Sequence, residues 1–321
     1  MTSLLAIGEC MLELRPQRKA LGPLTFDSAF GGDVYNALVY AKRIHPKLDC
    51  RFFSAVGQDS LSESMVSAWA EQGINTNYVQ RLWDKTIGMY AINTDHHGER
   101  SFSYWRSEAA ARDMVSRHSV EQLIEILAPV DMVFFSGITL AILSDHHRQK
   151  LLQVLTGLRQ QGSTIAFDPN YRERLWDNQQ QAKTWLTRAY QCSDIALPGA
   201  DEHELLFQHQ DLETITAFCV QCGCDEVVVK QGEQGTMAFA GTQWFHEPFV
   251  PAERQVDSTA AGDSFAGSYL ASRLSGLSVL DSLSQAVTVA REVVQCPGAI
   301  MEPAEFVQRL QGQLVCLPNQ E

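Results

Sequence analysis

The feature that most constrains the fold is a regular alternation of helical and strand patterns in the central part of the chain. Four amphipathic helical segments each precede a short apolar run: 119–128 before 132–137, 144–161 before 164–169, 179–192 before 194–197, and 211–222 before 226–230. Such an order implies right-handed crossovers, which make the strands parallel and place helices on both faces of the sheet. The sequence therefore predicts an α/β fold whose ligands bind beyond the carboxyl ends of the strands.

A run of small residues, Asp257 to Asp263, predicts a helix N-terminus that can bind an anion. Apolar residues follow it at helical spacing, so the N–H groups of the first turn lack intrahelical partners. Ala260, Ala261 and Gly262 carry little or no side chain, which lets an anion approach those donors. Asp263 adds a carboxylate, which suits a site that must also accept a proton. On spacing alone, a simple helix start with Asp263 as a favourable first-turn acid remains open.

The same run resembles the C-terminal signature of the ribokinase/PfkB carbohydrate kinases, Asp-Thr-x-Gly-Ala-Gly-Asp followed by Phe and Gly. Ala260 stands where many members have Gly, and the Ala-Ala-Gly-Asp version is similar to that of 2-keto-3-deoxygluconate kinases. The segment from Gly31 to Asn36 resembles the family's N-terminal Gly-Gly-x-x-x-Asn sugar-binding segment. Asp33 and Asn36 fall in one helical turn, so both can face one ligand. The alternative to a ligand-binding role is a structural one, in which the glycines form a turn and Asp33 caps the helix.

The resemblance extends from about residue 3 to 312 and implies the fold. We expect one domain over 1–321, a ribokinase-like three-layer α/β/α sandwich with a mostly parallel central sheet. A small β-sheet lid is expected from about 10–32 and 85–108.

A hairpin candidate within the expected lid carries residues suited to a sugar acid. Residues 87–93 and 101–106 have strand patterns, and Tyr104 and Arg106 are two apart, so they point to one face. The resemblance implies that Tyr90, Tyr104 and Arg106 hold the sugar, with Arg106 suited to a carboxylate. On spacing alone, an amphipathic edge hairpin is the alternative. The histidines of the connecting loop, His96 and His97, are expected to be solvated.

Three predicted strands end in segments that resemble the family's nucleotide side. The segment Asp168-Pro169-Asn170-Tyr171-Arg172 is similar to Asp-Pro-Asn-x-Arg, which implies that Arg172 holds the substrate acid or the transferred phosphoryl group. Glu202 matches a Glu that organises Mg²⁺ through water, while Gly199 stands where many relatives have Asn. The implied substrate-binding residues are Gly32, Asp33, Asn36, Tyr90, Tyr104, Arg106, Arg172 and Asp263. The implied nucleotide-side residues are Asn170, Arg172, Lys230, Gly232, Gly235, Ala260 and Gly262.

The activity that the resemblance implies is phosphorylation of a sugar-derived hydroxyl by ATP with Mg²⁺. Asp263 would act as the base, while the N–H groups of Ala260 to Gly262 stabilise the charge on the moving group. Two cations near the acceptor, Arg106 and Arg172, favour 2-keto-3-deoxygluconate over a neutral sugar such as fructose or ribose. The alternative from another class of function is a sugar sensor, which would bind the sugar without catalysing phosphoryl transfer. The first strand is not followed by Gly-x-Gly-x-x-Gly, which argues against a dinucleotide oxidoreductase.

Composition limits the partners of the chain. The formal net charge of −13 argues against a nucleic-acid surface, and no apolar run is long enough for a membrane span. The start of the chain reads as a first strand without a signal peptide, so we expect a cytoplasmic location with reduced cysteines. We also expect a homo-oligomer, a dimer through the exposed edges of the lid sheet.

Overall fold

The predicted alternation is present in the structure, a computed structural model that describes residues 2–17, 24–94 and 100–314. The strands are β1 (Ser3–Ile7), β2 (Met11–Gln17), β3 (Thr25–Gly31), β4 (Asp49–Phe53), β5 (Ala55–Val56), β6 (Gln80–Arg81), β7 (Gly88–Thr94), β8 (Arg100–Trp105), β9 (Met132–Ser136), β10 (Thr164–Asp168), β11 (Ile195–Ala196), β12 (Glu226–Lys230), β13 (Thr236–Ala240) and β14 (Gln243–Glu247). The α-helices are α1 (Asp33–Ile44), α2 (Ser60–Glu71), α3 (Val120–Leu127), α4 (Gly137–Ala141), α5 (Asp145–Gln160), α6 (Gln179–Gln191), α7 (Ala200–Phe207), α8 (Leu212–Cys222), α9 (Ala261–Leu274), α10 (Val279–Val293) and α11 (Pro303–Leu310). Short 3₁₀ turns cover Ala110–Asp113, Glu173–Leu175 and Gly232–Gln234.

The central sheet has eight strands within the described residues, in the order β14-β13-β12-β11-β10-β9-β1-β4. The strands from β12 to β4 are parallel, while β13 and β14 form an antiparallel edge. Strand order changes direction at β1, since β4 lies on one side of it and β9 on the other. The carboxyl edge of this sheet is therefore where the α/β rule places a ligand.

Helices cover both faces of the central sheet, as the alternation predicted. Alternate residues of β1 enter opposite cores: Leu4 and Ala6 pack with α1, α9 and α10, whereas Leu5 and Ile7 pack with α3, α5 and α6. A strand that is buried on both faces explains the continuous apolar run at the start of the chain. The result is the predicted three-layer α/β/α sandwich.

A second, four-stranded sheet has the order β3-β2-β7-β8 within the described residues. Strands β2 and β7 are parallel, and the other two pairs are antiparallel. Met11, Tyr90 and Ile92 form its own small apolar cluster, against which Phe102 packs. This sheet contains most of the segment expected to form a lid. His96 and His97 lie outside the described residues.

Helices α1 and α9 pack with their backbones in direct contact. A Cβ atom added to Gly267 of α9 would overlap the carbonyl oxygen of Ala37 in α1 and would lie 2.6 Å from its carbonyl carbon. Only glycine permits this approach, which brings the first turns of the two helices together at the carboxyl edge of the sheet. Among the helices of the described residues, none is long and apolar enough to cross a membrane.

Candidate active site

Helices α1, α7 and α9, as the described residues show them, begin at the carboxyl edge of the sheet without a side-chain cap. The residues before their first turns are Gly32 for α1, Gly199 for α7 and Ala260 for α9. The residue before each first turn therefore offers no side-chain acceptor to these N–H groups. A Cβ atom on Gly262 would meet no heavy atom within 4 Å, so open space lies beside the start of α9. This arrangement fits an anion at that helix N-terminus.

The first turns of α1 and α9 are joined through Asn36 and Asp263. Asn36 Nδ2 donates a hydrogen bond of 2.8 Å to Asp263 Oδ2, which fixes the orientation of the carboxylate. Burial, together with the nearby Asp33 carboxylate, raises the pKa of Asp263 to about 8. A carboxylate with a raised pKa is a better proton acceptor than an ordinary one, which suits a general base.

The loop after β10 contacts the start of α1. Asn170 Nδ2 donates a hydrogen bond of 2.9 Å to Asp33 Oδ2, and the backbone of Asn170 has a φ of +33°. Asparagine tolerates this left-handed conformation better than most residues. Burial raises the pKa of Asp33. Asn170, which the resemblance assigns to the nucleotide, thus contacts a residue assigned to the sugar.

A cavity of about 320 Å³ lies between the second sheet, the start of α1 and the loop after β10. Five of the predicted substrate-binding residues line it, namely Gly32, Asp33, Tyr104, Arg106 and Arg172. Arg106 follows the last residue of β8 and still shares the cavity with Tyr104, as their spacing predicted. The volume falls in the range of small-molecule sites.

Arg106 is already paired inside this cavity. Its Nη2 donates to Glu9 Oε2, and the two side chains are only 11% and 2% exposed. Burial raises the pKa of Glu9, while the adjacent Arg106 opposes that shift. Among the described residues, Glu9 Oε1 and Arg106 Nε have no hydrogen-bond partner. The pair therefore contributes little net charge to the cavity, which the sequence did not indicate.

Tyr90 packs beside Tyr104 in the four-stranded sheet. Its hydroxyl donates to Glu13 Oε2, and its ring centroid is 5.9 Å from that of Tyr104, which faces it across the β7–β8 pair. Tyr90 is 8% exposed and does not line the cavity. It supports Tyr104 in this structure.

Charged side chains cluster beyond the carboxyl ends of β10, β11 and β12, among residues that the resemblance assigns to the nucleotide side. Lys230 Nζ lies 2.7 Å from Asp168 Oδ2, and Arg172 Nη1 lies 3.8 Å from Glu202 Oε1. Glu202 Oε2 is buried and, among the described residues, has no hydrogen-bond partner. Burial, with the nearby Asp168 carboxylate, raises the pKa of Glu202. An unpartnered carboxylate oxygen fits Mg²⁺, which prefers oxygen ligands and retains several waters.

Glycines permit the turn between β12 and β13. Gly232 has a φ of +55° and Gly235 a φ of +90°, conformations that favour glycine. A Cβ atom on Gly235 would lie 2.5 Å from the carbonyl oxygen of Glu247, whereas one on Gly232 would meet no heavy atom within 4 Å. The turn therefore presents open backbone at Gly232, two residues after Lys230.

Glu9, Glu13 and Arg174 were not singled out from the sequence, and Asp168 was named as part of a motif but given no role of its own. Glu9 follows β1 by two residues, and Asp168 is the last residue of β10. Position at the carboxyl end of a parallel strand is the signal that could have found both. Arg174 lies in a 3₁₀ turn and follows Arg172 by two residues, with no periodic pattern to mark it.

Comparisons with known proteins agree with this geometry. The model of the pfkB family carbohydrate kinases matches residues 1–305. The 2-dehydro-3-deoxygluconokinase of Escherichia coli is 38% identical over 300 residues, which are 92% of this chain and 96% of that protein. The enzyme of the same name from Haemophilus influenzae is 34% identical over 301 residues, 92% of this chain and 94% of that protein.

A solved structure resembles the fold closely. The crystal structure of a putative ribokinase II from E. coli in complex with ATP and Mg²⁺ has a TM-score of 0.82 at 24% sequence identity. The match covers 97% of this chain and 99% of that one. Since the family model spans nearly the whole chain and two relatives exceed 30% identity over most of it, this chain belongs to the pfkB family of carbohydrate kinases.

Proposed function

We propose that the chain transfers the terminal phosphoryl group of ATP to the 6-hydroxyl of 2-keto-3-deoxygluconate, the 2-dehydro-3-deoxygluconate of the relatives' names. The observation that carries the proposal is the carboxylate of Asp263, oriented by Asn36 beside the uncapped, open start of α9. The names of the relatives at 34–38% identity support the substrate. The product is the 6-phosphorylated sugar acid.

The proposed mechanism assigns a separate task to each group of the site. Asp263 orients the acceptor hydroxyl and accepts its proton, and Asn36 keeps the receiving oxygen in place. N–H groups of Ala260 to Gly262 stabilise the negative charge on the moving phosphoryl group. Because the transition state of phosphoryl transfer is loose, the proton moves late and positioning supplies most of the acceleration.

The nucleotide side is proposed to lie between β10, β12 and the start of α9. Arg172, Lys230 and the open backbone at Gly232 supply positive charge and donors for the phosphates. Glu202 is the residue that would hold Mg²⁺ through ordered water, and the ion when bound neutralises phosphate charge. The buried, unpartnered Oε2 of Glu202 is the observation that supports this assignment.

A kinase assay against a panel of acceptors tests the function. We expect ADP release that depends on the sugar, with kcat/KM for 2-keto-3-deoxygluconate at least about tenfold above that for fructose or ribose, because a charge-assisted contact contributes at least about 1.4 kcal/mol. Mass spectrometry and NMR of the product then locate the phosphate at the 6-position. A higher kcat/KM for fructose or ribose would favour the neutral-sugar kinase. A sugar that raises the melting temperature without any ADP release would favour the sensor.

We also propose that the four-stranded sheet covers the sugar as a lid and pairs with the same sheet of a second copy. Tyr104 of β8 lines the cavity, while Trp105 of the same strand and Phe26 of the opposite edge strand are 55% and 42% exposed. Light scattering should give about twice the mass of one chain, and Trp105→Glu should shift the mass toward the monomer. Trp83→Glu is the control, since Trp83 is 76% exposed and outside this sheet. A monomeric wild-type protein would refute the dimer.

A further inference from the structure

Three arginines line the cavity, and only one of them has no anionic partner among the described residues. Arg106 pairs with the buried carboxylate of Glu9, and Arg172 lies 3.8 Å from Glu202. Arg174 makes no ion pair with any residue in the described ranges. Its positive charge is therefore uncompensated at the wall of the cavity.

The environment of Arg106 makes it a poor single partner for a carboxylate. A ligand carboxylate that approaches Arg106 also approaches Glu9, whose side chain is only 2% exposed and lies against the same guanidinium. The repulsion between two carboxylates offsets much of the attraction to one arginine. A sugar acid in this cavity therefore requires a second cation. Arg172 lies 3.8 Å from Glu202 and is proposed to contact the phosphates, which leaves Arg174.

Tyr104 holds the guanidinium of Arg174 near the cavity. The guanidinium carbon lies 5.8 Å from the centroid of the Tyr104 ring, within the distance of a cation–π contact. The planar fork of an arginine can bind both oxygens of a carboxylate, which a point charge cannot do as well. Tyr104 belongs to the four-stranded sheet and Arg174 to the loop after β10, so this contact also joins the two walls of the cavity.

We propose that Arg174 binds the carboxylate of the sugar acid and is the residue that selects an acid over a neutral sugar. The inference rests on the proposed function, because it identifies which side chain recognises the acid group of that substrate. Arg106, neutralised by Glu9, orients the neutral oxygens of the ligand and contributes less to the discrimination by charge.

The test compares one variant on two substrates that differ only in the charged group. The substrates are 2-keto-3-deoxygluconate and 3-deoxyfructose, in which a hydroxymethyl group replaces the carboxylate. For Arg174→Gln we expect kcat/KM for the acid to fall about 10- to 100-fold, mainly through KM. For 3-deoxyfructose we expect a change of less than about threefold. The Kd of the acid without ATP, from calorimetry, should weaken by the same factor as kcat/KM.

Two further variants serve as controls. Arg117→Gln removes the same charge from an exposed arginine that does not line the cavity, and it should leave both kcat/KM values within about twofold. Arg174→Lys keeps the charge but loses the planar fork, so it should recover part of the selectivity. Because Arg174 is exposed in a short turn, its variants should melt within about 2 °C of the wild type.

The outcomes distinguish this inference from the proposed function. An Arg174→Gln variant that keeps full kcat/KM for the acid, or that loses the same factor on both substrates, overturns the role of Arg174 while the proposed function stands. A wild-type protein that does not phosphorylate the acid overturns the proposed function, and the inference with it, before any variant is made.

Discussion

Asp263→Asn is expected to lower kcat by about 10²- to 10⁴-fold while the affinity for the sugar acid changes only a few-fold. The amide keeps the shape and the contact with Asn36 but cannot accept the proton of the acceptor hydroxyl. The measurement is kcat by ADP release together with the Kd of the sugar by calorimetry. Asp84→Asn is the matched control, because Asp84 is exposed and is not among the residues that line the cavity. An unchanged kcat in Asp263→Asn would remove this residue from the role of base.

The same variant has an expected effect on stability that depends on pH. The folded protein raises the pKa of Asp263 from 3.8 to about 8, so the fold binds a proton that the unfolded chain has released. The stability contribution of this group is therefore present at low pH and is lost as the pH rises from about 4 to about 8. Asparagine has no charge to desolvate, so the ligand-free variant should melt above the wild type, by a margin that grows to about pH 8. A variant that melts lower at every pH would contradict the buried-carboxylate explanation.

Much of the fold could be predicted because its signals are local. The helix predicted at 144–161 is α5, Asp145–Gln160, and the strand predicted at 226–230 is β12 with the same bounds. In α5 the buried leucines recur at helical spacing, and β12 is an apolar run that enters both cores. The spacing of apolar residues is set by the face that each helix or strand buries, so it is visible in the sequence itself.

The elements that were missed lack such a pattern. Helix α7 buries only His203 and Leu206, so it has no apolar stripe. The sequence pattern therefore predicted the strand before it, 194–197, but not the helix itself. Helix α4 has five residues, too few for a period to be visible. Strand β2 continues through Pro16 to Gln17, with Pro16 opposite Phe26 of β3 and beyond the residues that pair with β7. Proline is tolerated there although it cannot donate a ladder hydrogen bond.

The pairing of the site residues could not be predicted from the sequence. Asn36 and Asp263 are 227 positions apart, and Glu9 and Arg106 are 97 positions apart. A sequence motif suggests a role for each residue separately, whereas the net charge of a cavity depends on which charged side chains lie against each other. Arg106 illustrates the difference, because its interpretation as a free cation changes once Glu9 lies against it.

The second large effect is expected from Gly267→Ala, which lies in the contact between α1 and α9. The added Cβ would overlap the backbone of Ala37, and a backbone cannot rotate away as a side-chain tip can. We expect the free energy of unfolding to fall by about 1–3 kcal/mol, measured by urea denaturation. Because Ala37 adjoins Asn36, the helices should separate where Asn36 meets Asp263. We therefore also expect kcat to fall by about 10- to 100-fold, since small misplacements of reacting groups are costly.

Gly157→Ala provides the matched control in the interior of α5. Its Cβ would overlap Cδ1 of Ile124 and lie 3.0 Å from Cγ1, but these atoms belong to a flexible side chain that can move aside. Alanine also has a better helix propensity than glycine by up to about 1 kcal/mol, so stability should change by no more than that amount and kcat should not change. If both variants lost the same free energy of unfolding, the close approach of α1 and α9 would not explain the loss in Gly267→Ala. If Gly267→Ala lost stability but kept kcat, the geometry between Asn36 and Asp263 would not depend on that approach, and the helix contact would serve the fold alone.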